Sequence, residues 1–291
     1  MAIHRYILHN GGIVDSSAPV FRTGQIGMLA GWGVFSTFRV RHGALFAWDR
    51  HWARMTRDAR LLNLQMPADP DVVLADLLRL VEANQQTECT LRLAIIRNSG
   101  GMWEDPLSSQ VPVDVAAMTA TSKKWGESVK LGIHPNARYA ANEFAGAKVL
   151  SWAQNLSWAE RASQSGNDEV VLLNEHGRVA ECTSANIFAV FGNEVFTPPL
   201  SEGCLPGITR EVLLELSGQG ITLAEKPLSL DDLYTADAVY ITSSTRNLLP
   251  VREIDGHPIA RATDVIQRLS ARFDDFTEKD LAGRPRAVVY A

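Results

Sequence analysis

Residues 169–197 constrain the fold most strongly, because apolar runs rich in β-branched residues alternate there with turn residues. Runs of this length and composition predict strands, and Gly177 between the first two suits a tight turn. Residues 169–181 are therefore predicted to form one hairpin and residues 185–197 another. The two hairpins supply antiparallel strands to the second half of the chain.

Strand and helix periodicities alternate along the rest of the chain, which predicts a mixed α/β (α+β) fold. Further strands are predicted at 6–9 and 12–14 around an Asn-Gly turn, 34–41, 90–97, 111–120, 129–133 and 238–242. Helices are predicted at 49–62, with Asp49 as the cap, and at 71–84, 151–164, 208–217 and 262–274. A short polar stretch without strong periodicity is the candidate connector, which gives domains at 1–118 and 125–291 joined by residues 119–124.

Charge and cysteine content exclude several classes of function. A net charge of −5 and an isoelectric point near 5.8 do not provide the broad basic surface that nucleic acid or an anionic membrane requires. Three cysteines without metal-ligand spacing argue against a disulfide framework and a metal site, and they favour the cytoplasm. The N-terminus lacks the apolar core of a signal peptide, and no uncharged apolar run is long enough to span a bilayer.

Three separated segments contain residues with the chemistry of a cofactor site. Lys148 lies in the apolar segment 145–152, and a buried lysine of lowered pKa can bond to an aldehyde and carry protons. Glu181 ends a predicted strand, where a carboxylate can keep a ring nitrogen protonated. Gly207 precedes Ile208 and Thr209 at a predicted helix start, whose free N–H groups and hydroxyl suit a phosphate. Each of these residues alone is more often an ordinary surface or turn residue.

Taken together, these segments resemble the pyridoxal 5′-phosphate (PLP) enzymes of fold type IV. The family is that of the class-IV aminotransferases, which includes branched-chain and D-amino-acid aminotransferases and aminodeoxychorismate lyases. The resemblance implies a two-domain α/β fold whose C-terminal domain carries the PLP lysine, and at least a homodimer. It also implies that Lys148 is the catalytic lysine and that Glu181 faces the cofactor ring. The phosphate would be bound by Arg54, Ile208, Thr209 and Ser244, the last of which stands where a threonine is common.

The resemblance also implies a set of residues that contact the substrate. The residues expected to contact substrate are Phe35, Thr37, Arg39, Arg97, Trp152 and Thr245, with Arg92 and the loop 99–103 as further candidates. Phe35-Ser36 stands where many transaminases of the family have an aromatic-Glu pair, whereas Phe35, Thr37 and Arg39 are similar to the Phe-x-Thr-x-Arg pattern of the lyases. Met102 instead occupies the place where a lyase-like loop can carry a substrate-binding arginine.

The sequence therefore predicts a PLP-dependent aminotransferase acting on an amino acid and a 2-oxo acid, of the branched-chain or D-amino-acid type. The alternative is an aminodeoxychorismate lyase that forms 4-aminobenzoate and pyruvate. A PLP-binding protein without catalytic activity is a third possibility, which the presence of Lys148, Glu181 and Thr209 disfavours.

Overall fold

The computed structural model describes residues 1–101, 111–260 and 263–289, which pack into two compact units. The first unit comprises Met1–Lys123, Lys148–Trp152 and Thr277–Ala291, and the second comprises Lys124–Ala147 and Ala153–Phe276. The expected boundaries at 118 and 125 stay a prediction. The sequence-based prediction places Lys148 in a continuous C-terminal domain. In the structure, the segment with Lys148 instead packs in the first unit, because Val149 pairs with Val34.

A six-stranded antiparallel sheet forms the first unit, with the order β2-β1-β6-β5-β3-β4. Its strands are β1 (Ile3–His9), β2 (Gly12–Asp15), β3 (Gly33–Arg41), β4 (Ala44–Leu45), β5 (Cys89–Arg97) and β6 (Val113–Ala120). Its helices are α1 (Ile26–Ala30), α2 (Trp48–Leu61) and α3 (Pro70–Asn84). The apolar sides of α2 and α3 pack on β3 and on β1 and β6, and they bury side chains such as Phe38, Leu77 and Leu91.

A nine-stranded mixed sheet forms the second unit, with the order β12-β11-β10-β13-β14-β7-β8-β9 and β15 paired to β14. Its strands are β7 (Val129–Arg138), β8 (Glu169–Asn174), β9 (Val179–Cys182), β10 (Asn186–Phe191), β11 (Glu194–Thr197), β12 (Thr222–Glu225), β13 (Ala238–Ser243), β14 (Asn247–Ile254) and β15 (His257–Pro258). The helices are α4 (Ala153–Gln164), α5 (Ile208–Glu215), α6 (Leu230–Thr235) and α7 (Thr263–Ala282), which belongs to this unit up to Phe276. Central strands such as β8 and β10 are buried along almost their whole length, as expected of a sheet covered on both faces.

The mixed α/β fold and both central hairpins are confirmed. Val171 of β8 pairs with Cys182 of β9, and Ala189 of β10 pairs with Phe196 of β11. β14, α1 and α6 lie outside the sequence-based predictions. β14 contains Pro250, which cannot donate to a ladder, and α1 and α6 are only five and six residues long.

Two predicted helix starts are wrong. α4 begins at Ala153 rather than 151, because Ser151 is held in the first unit by hydrogen bonds from its hydroxyl to the carbonyls of Ala30 and Gly31. Asp49 does not cap α2: the cap position is Ala47, whose N–H donates to Asp280, while Asp49 pairs with Arg284. Tertiary contacts thus replace the local capping that the sequence suggests.

No helix in the described ranges is both long enough and apolar enough to cross a membrane.

A buried carboxylate joins three loops of the first unit. Asp114 on β6 accepts hydrogen bonds from the side-chain amides of Asn10 (2.9 Å), Asn98 (2.8 Å) and Gln25 (2.8 Å), and it lies 2.9 Å from Nε2 of His9. Burial acts to raise the pKa of Asp114, but these hydrogen bonds outweigh it and hold the pKa below its ordinary value. Asp114 therefore stabilises the β1–β2 turn and the loops that flank α1 and follow β5.

Asp114→Asn is expected to lower the free energy of unfolding at pH 7 by about 2 kcal/mol, because several charge-assisted hydrogen bonds lose their ionised acceptor. The folded-state pKa is depressed, so this contribution is present above the ordinary value of 3.8 and is lost as the pH falls through the lower folded value. Urea denaturation of both proteins at pH 7 and near pH 3 measures it, with exposed Asp274→Asn as the control. A difference at pH 7 that persists unchanged in acid would contradict this role.

Candidate functional site

The backbone of Lys148 is fixed by hydrogen bonds within the first unit. Its carbonyl accepts from the N–H of Phe35 (3.1 Å), and the N–H of Leu150 donates to the carbonyl of Gly33 (2.8 Å). The N–H of Lys148 itself donates to the Asp58 carboxylate on α2 (3.0 Å). The lysine thus projects from a short extended segment laid along β3, rather than from a mobile loop.

Two aromatic rings surround the amine of Lys148. Its Nζ lies 4.5 Å from the ring centre of Phe35 and 4.6 Å from that of Trp152, and the two rings meet edge to face at 5.5 Å. The guanidinium carbon of Arg92 lies 3.8 Å from the same Phe35 ring centre, and burial lowers the pKa of Arg92. Ring faces attract cations, so both rings offer contacts to the amine of Lys148.

Arg54 belongs to a buried polar group between α2 and β3. Its Nη2 donates to Oγ of Ser36 (2.9 Å), and that oxygen lies 2.7 Å from Nδ1 of His51. Ser36 and His51 are fully buried, and Arg54 is 8% exposed. Burial lowers the pKa of His51 well below its ordinary value, and the charges of Arg54 and Lys148 lower it further. His51 is consequently neutral.

The substrate residues expected from the sequence do not all gather around Lys148. Thr37 and Arg39 follow Phe35 at alternate positions of β3, and Thr37 pairs with Arg92 of β5 in the ladder. Arg97 instead donates to the carbonyls of Ser99 (2.8 Å) and Asn63 (2.9 Å). Arg92 rather than Arg97 therefore contacts the ring beside Lys148. Met102 and Trp103 lie outside the described residues.

Glu181 is buried on β9 in the second unit, and both of its carboxylate oxygens have partners. Nε of Arg138 lies 3.0 Å from Oε1, and the N–H of Leu205 donates to Oε2 (3.0 Å). Arg138 in turn donates to Asn155 on α4 (3.3 Å). The sequence-based prediction misses Arg138, because it ends the strand at residue 133, whereas β7 continues to Arg138.

The start of α5 has the features of a phosphate cradle. Gly207 is the residue before the helix, and a Cβ there would overlap Oδ1 of Asn186, so a larger residue would require the Asn186 side chain to move. Oγ1 of Thr209 is buried and has no hydrogen-bond partner among the described residues. The first N–H groups of a helix also lack intrahelical acceptors. An anion such as the phosphate of PLP satisfies both requirements.

Ser244 and Thr245 lie in the turn between β13 and β14. The N–H of Arg246 closes this turn on the carbonyl of Ser243 (3.1 Å), and the hydroxyls of Ser243 and Thr245 lie 3.5 Å apart. A turn of this kind exposes backbone N–H groups that can bind an anion.

A buried ion pair stabilises that turn. Arg246 pairs with Glu169 of β8 (3.1 Å), donates to the carbonyl of Ser184 (2.8 Å) and lies over the ring of Trp125, 4.0 Å from its centre. Both side chains of the pair are almost fully buried, and burial lowers the pKa of Arg246 while Glu169 raises it. The sequence shows these residues 77 positions apart, so their pairing was not predictable from local patterns.

Arg246→Met is expected to cost about 3–5 kcal/mol of stability, because it leaves the Glu169 carboxylate buried without its cation. Lys130→Met, which removes the partly exposed pair with Glu253, should cost at most about 1 kcal/mol. Denaturant unfolding measures both. The double variant Glu169→Gln/Arg246→Met should recover part of the loss, and an additive double variant would show that the pair is not coupled.

No group of three or more His, Cys, Asp or Glu side chains suited to a metal ion occurs within residues 1–101, 111–260 and 263–289.

Residues 33–254 match the Amino-transferase class IV family. Because this match covers most of the chain, the protein belongs to that family, and it is a PLP-dependent enzyme of class IV. The lysine, the buried acid and the phosphate-type helix start described above are consistent with PLP as the cofactor.

Two relatives differ in the substrates that their names give. The putative branched-chain-amino-acid aminotransferase of Methanocaldococcus jannaschii is 30% identical over 93% of this chain and 96% of its own length. The D-alanine aminotransferase of Bacillus licheniformis is 28% identical over 87% of this chain and 89% of its own. The chain thus resembles relatives of both types at nearly equal identity.

Among solved structures, a branched-chain amino acid aminotransferase from T.th., complexed with N-(5′-phosphopyridoxyl)-L-glutamate, has the same fold. The TM-score is 0.85 at 25% identity, with 98% of this chain and 97% of that chain covered. That enzyme binds an adduct of the cofactor with an amino acid.

Proposed function

We propose that this enzyme exchanges an amino group between an amino acid and a 2-oxo acid of the branched-chain or D-amino-acid type. The observation that carries the proposal is the setting of Lys148, whose backbone is fixed along β3 and whose amine lies between Phe35 and Trp152. The names of the relatives with branched-chain and D-alanine substrates support the substrate class.

Lys148 is proposed to bond to the cofactor and to move the proton in the reaction. PLP supplies an aldehyde and an electron-accepting ring. The amine of Lys148 would accept the proton that leaves the substrate Cα and would release it at the cofactor, because its return to Cα would leave the amino group on the same carbon. Phe35 and Trp152 stabilise the ammonium that exists between these two transfers.

Glu181 is proposed to hold the ring nitrogen of the cofactor in its protonated form. Nε of Arg138 lies 3.0 Å from Oε1 and orients the carboxylate through an ion pair. The N–H of Leu205 fixes the other oxygen, so the orientation of the carboxylate does not depend on the cofactor.

The phosphate is proposed to bind to Ile208, Thr209, Ser244 and Arg54. The buried Thr209 hydroxyl supports this role because no described residue satisfies it. Arg54 adds positive charge, which strengthens hydrogen bonds to phosphate oxygens.

The substrate is proposed to contact Phe35, Thr37, Arg39, Trp152 and Thr245, and Arg92 rather than Arg97 is proposed to supply the cation. The cation of Arg92 beside Phe35 suits a carboxylate or carboxyl-bearing side chain. The Phe35, Thr37 and Arg39 pattern is also the feature that favours the second candidate, an aminodeoxychorismate lyase.

Assembly as a homodimer and a cytoplasmic location are also proposed. Large apolar side chains of the second unit, Tyr139 and Leu156, are 62% and 63% exposed, which suits burial against another copy. All three cysteines are free and buried, and burial raises the pKa of Cys89 and Cys204 to about 12. Such thiols need no oxidising compartment.

The PLP-loaded enzyme is expected to exchange amine between an amino acid and a 2-oxo acid, and Lys148→Arg should reduce the rate at least about 1000-fold because arginine cannot bond to the aldehyde or carry the proton. The measurement is production of the new amino acid from a panel of L- and D-amino acids. Lys226→Arg, a lysine beside Phe196, is the control and should retain activity. Release of pyruvate from aminodeoxychorismate without an amino acceptor would instead identify a lyase.

A further inference from the structure

We propose that Ser36 is a positioning residue, which orients the Arg54 guanidinium for the cofactor phosphate by linking it through its hydroxyl to His51. Ser36 lies on β3 directly after Phe35, and its side chain points to the side of the strand covered by α2. The inference rests on the proposed role of Arg54 in binding the phosphate.

The direction of the hydrogen bonds follows from the chemistry of the three groups. Arginine has no acceptor, so Nη2 of Arg54 must donate to Oγ of Ser36 at 2.9 Å. The hydroxyl proton of Ser36 is then directed to Nδ1 of His51 at 2.7 Å. If Nδ1 carried a proton instead, Oγ of Ser36 would accept from both neighbours, and its own buried proton would have no acceptor among the described residues. His51 is therefore neutral, with its proton on Nε2.

The placement of the three residues fixes this chain of hydrogen bonds. His51 and Arg54 are three positions apart on α2 and so share one side of the helix. That side packs on β3 where Ser36 lies, and the His51 ring also packs on Phe38 with centres 4.3 Å apart. Ser36 of β3 and His51 of α2 thus hold one side of the Arg54 guanidinium.

A hydroxyl at this position has a different effect from a carboxylate. A carboxylate would bind the guanidinium and neutralise it, whereas Ser36 fixes its orientation without adding negative charge. Ser36 therefore does not itself reduce the attraction of Arg54 for a dianion. The fit is tight, because Ser36 and His51 are completely buried.

The test compares PLP with pyridoxal, which lacks the phosphate, as ligands of the apoenzyme. Ser36→Ala should weaken PLP binding about tenfold, because one orienting hydrogen bond to a charged group is lost. Its affinity for pyridoxal should stay that of the wild type. Ser36→Thr, which restores the hydroxyl, should recover PLP affinity.

Thr119→Val is the matched control. The Thr119 hydroxyl is also fully buried in the first unit, and it also lies between Nδ1 of a histidine, His4, and a side-chain donor, Asn84, each at 2.9 Å. Its loss should lower the melting temperature and leave both affinities unchanged. Equal loss of PLP and pyridoxal in Ser36→Ala, or wild-type affinity for PLP, would overturn the proposal.

Nitrogen NMR of His51 tests the same arrangement without a variant. The wild-type ring should show a protonated Nε2 and an unprotonated, hydrogen-bonded Nδ1 at neutral pH, and the Nδ1 signal should move in Ser36→Ala. A proton on Nδ1 in the wild type would overturn the proposal even if the variant does not fold. If the wild-type apoenzyme binds neither PLP nor pyridoxal, the proposed function itself fails, whatever the state of His51.

Discussion

The chemistry of this enzyme depends on the pairing of the extended segment 148–150 with β3. Two backbone hydrogen bonds, from Phe35 to Lys148 and from Leu150 to Gly33, set the position from which the lysine projects. Gly33 allows the segment to lie close to β3, because a Cβ at this position would lie 2.6 Å from the side chain of Leu150. β3 thus holds both Phe35 and the segment that carries the proposed cofactor lysine, so the position of Nζ relative to Phe35 depends on a sheet rather than on a loop.

Buried charges determine the remaining geometry, and each has a specific partner. Glu181 is held by Arg138, and Arg246 is held by Glu169 and by the ring of Trp125. Both pairs connect residues far apart in sequence, and each fixes a segment that carries a proposed cofactor contact. Removing one partner of such a pair costs more than the pair contributes, so these residues restrict the site to one arrangement. The buried hydroxyl of Thr209, by contrast, has no hydrogen-bond partner among the described residues.

The sequence predicts the strands with regular alternation and the long amphipathic helices, since periodicity reports which side is buried. It also indicates Lys148, Glu181 and Thr209, because these stand in short segments with a distinctive chemical order. Arg138 and the pairing of Arg246 with Glu169 could not be predicted, because they depend on which strands become neighbours in the nine-stranded sheet. The contact of Arg92 rather than Arg97 with the Phe35 ring could not be predicted for the same reason. Both arginines lie on β5, but the ladder with β3 places only Arg92 opposite Thr37.

The central claim is that Lys148 is the lysine to which the cofactor bonds. Borohydride reduction of the PLP-loaded enzyme, followed by proteolysis and mass spectrometry, would locate the phosphopyridoxyl group directly. The account predicts one modified lysine per chain, in the peptide that contains Lys148, with the Lys123, Lys130 and Lys226 peptides unmodified. Stoichiometric modification of another lysine, with Lys148 untouched, would contradict it.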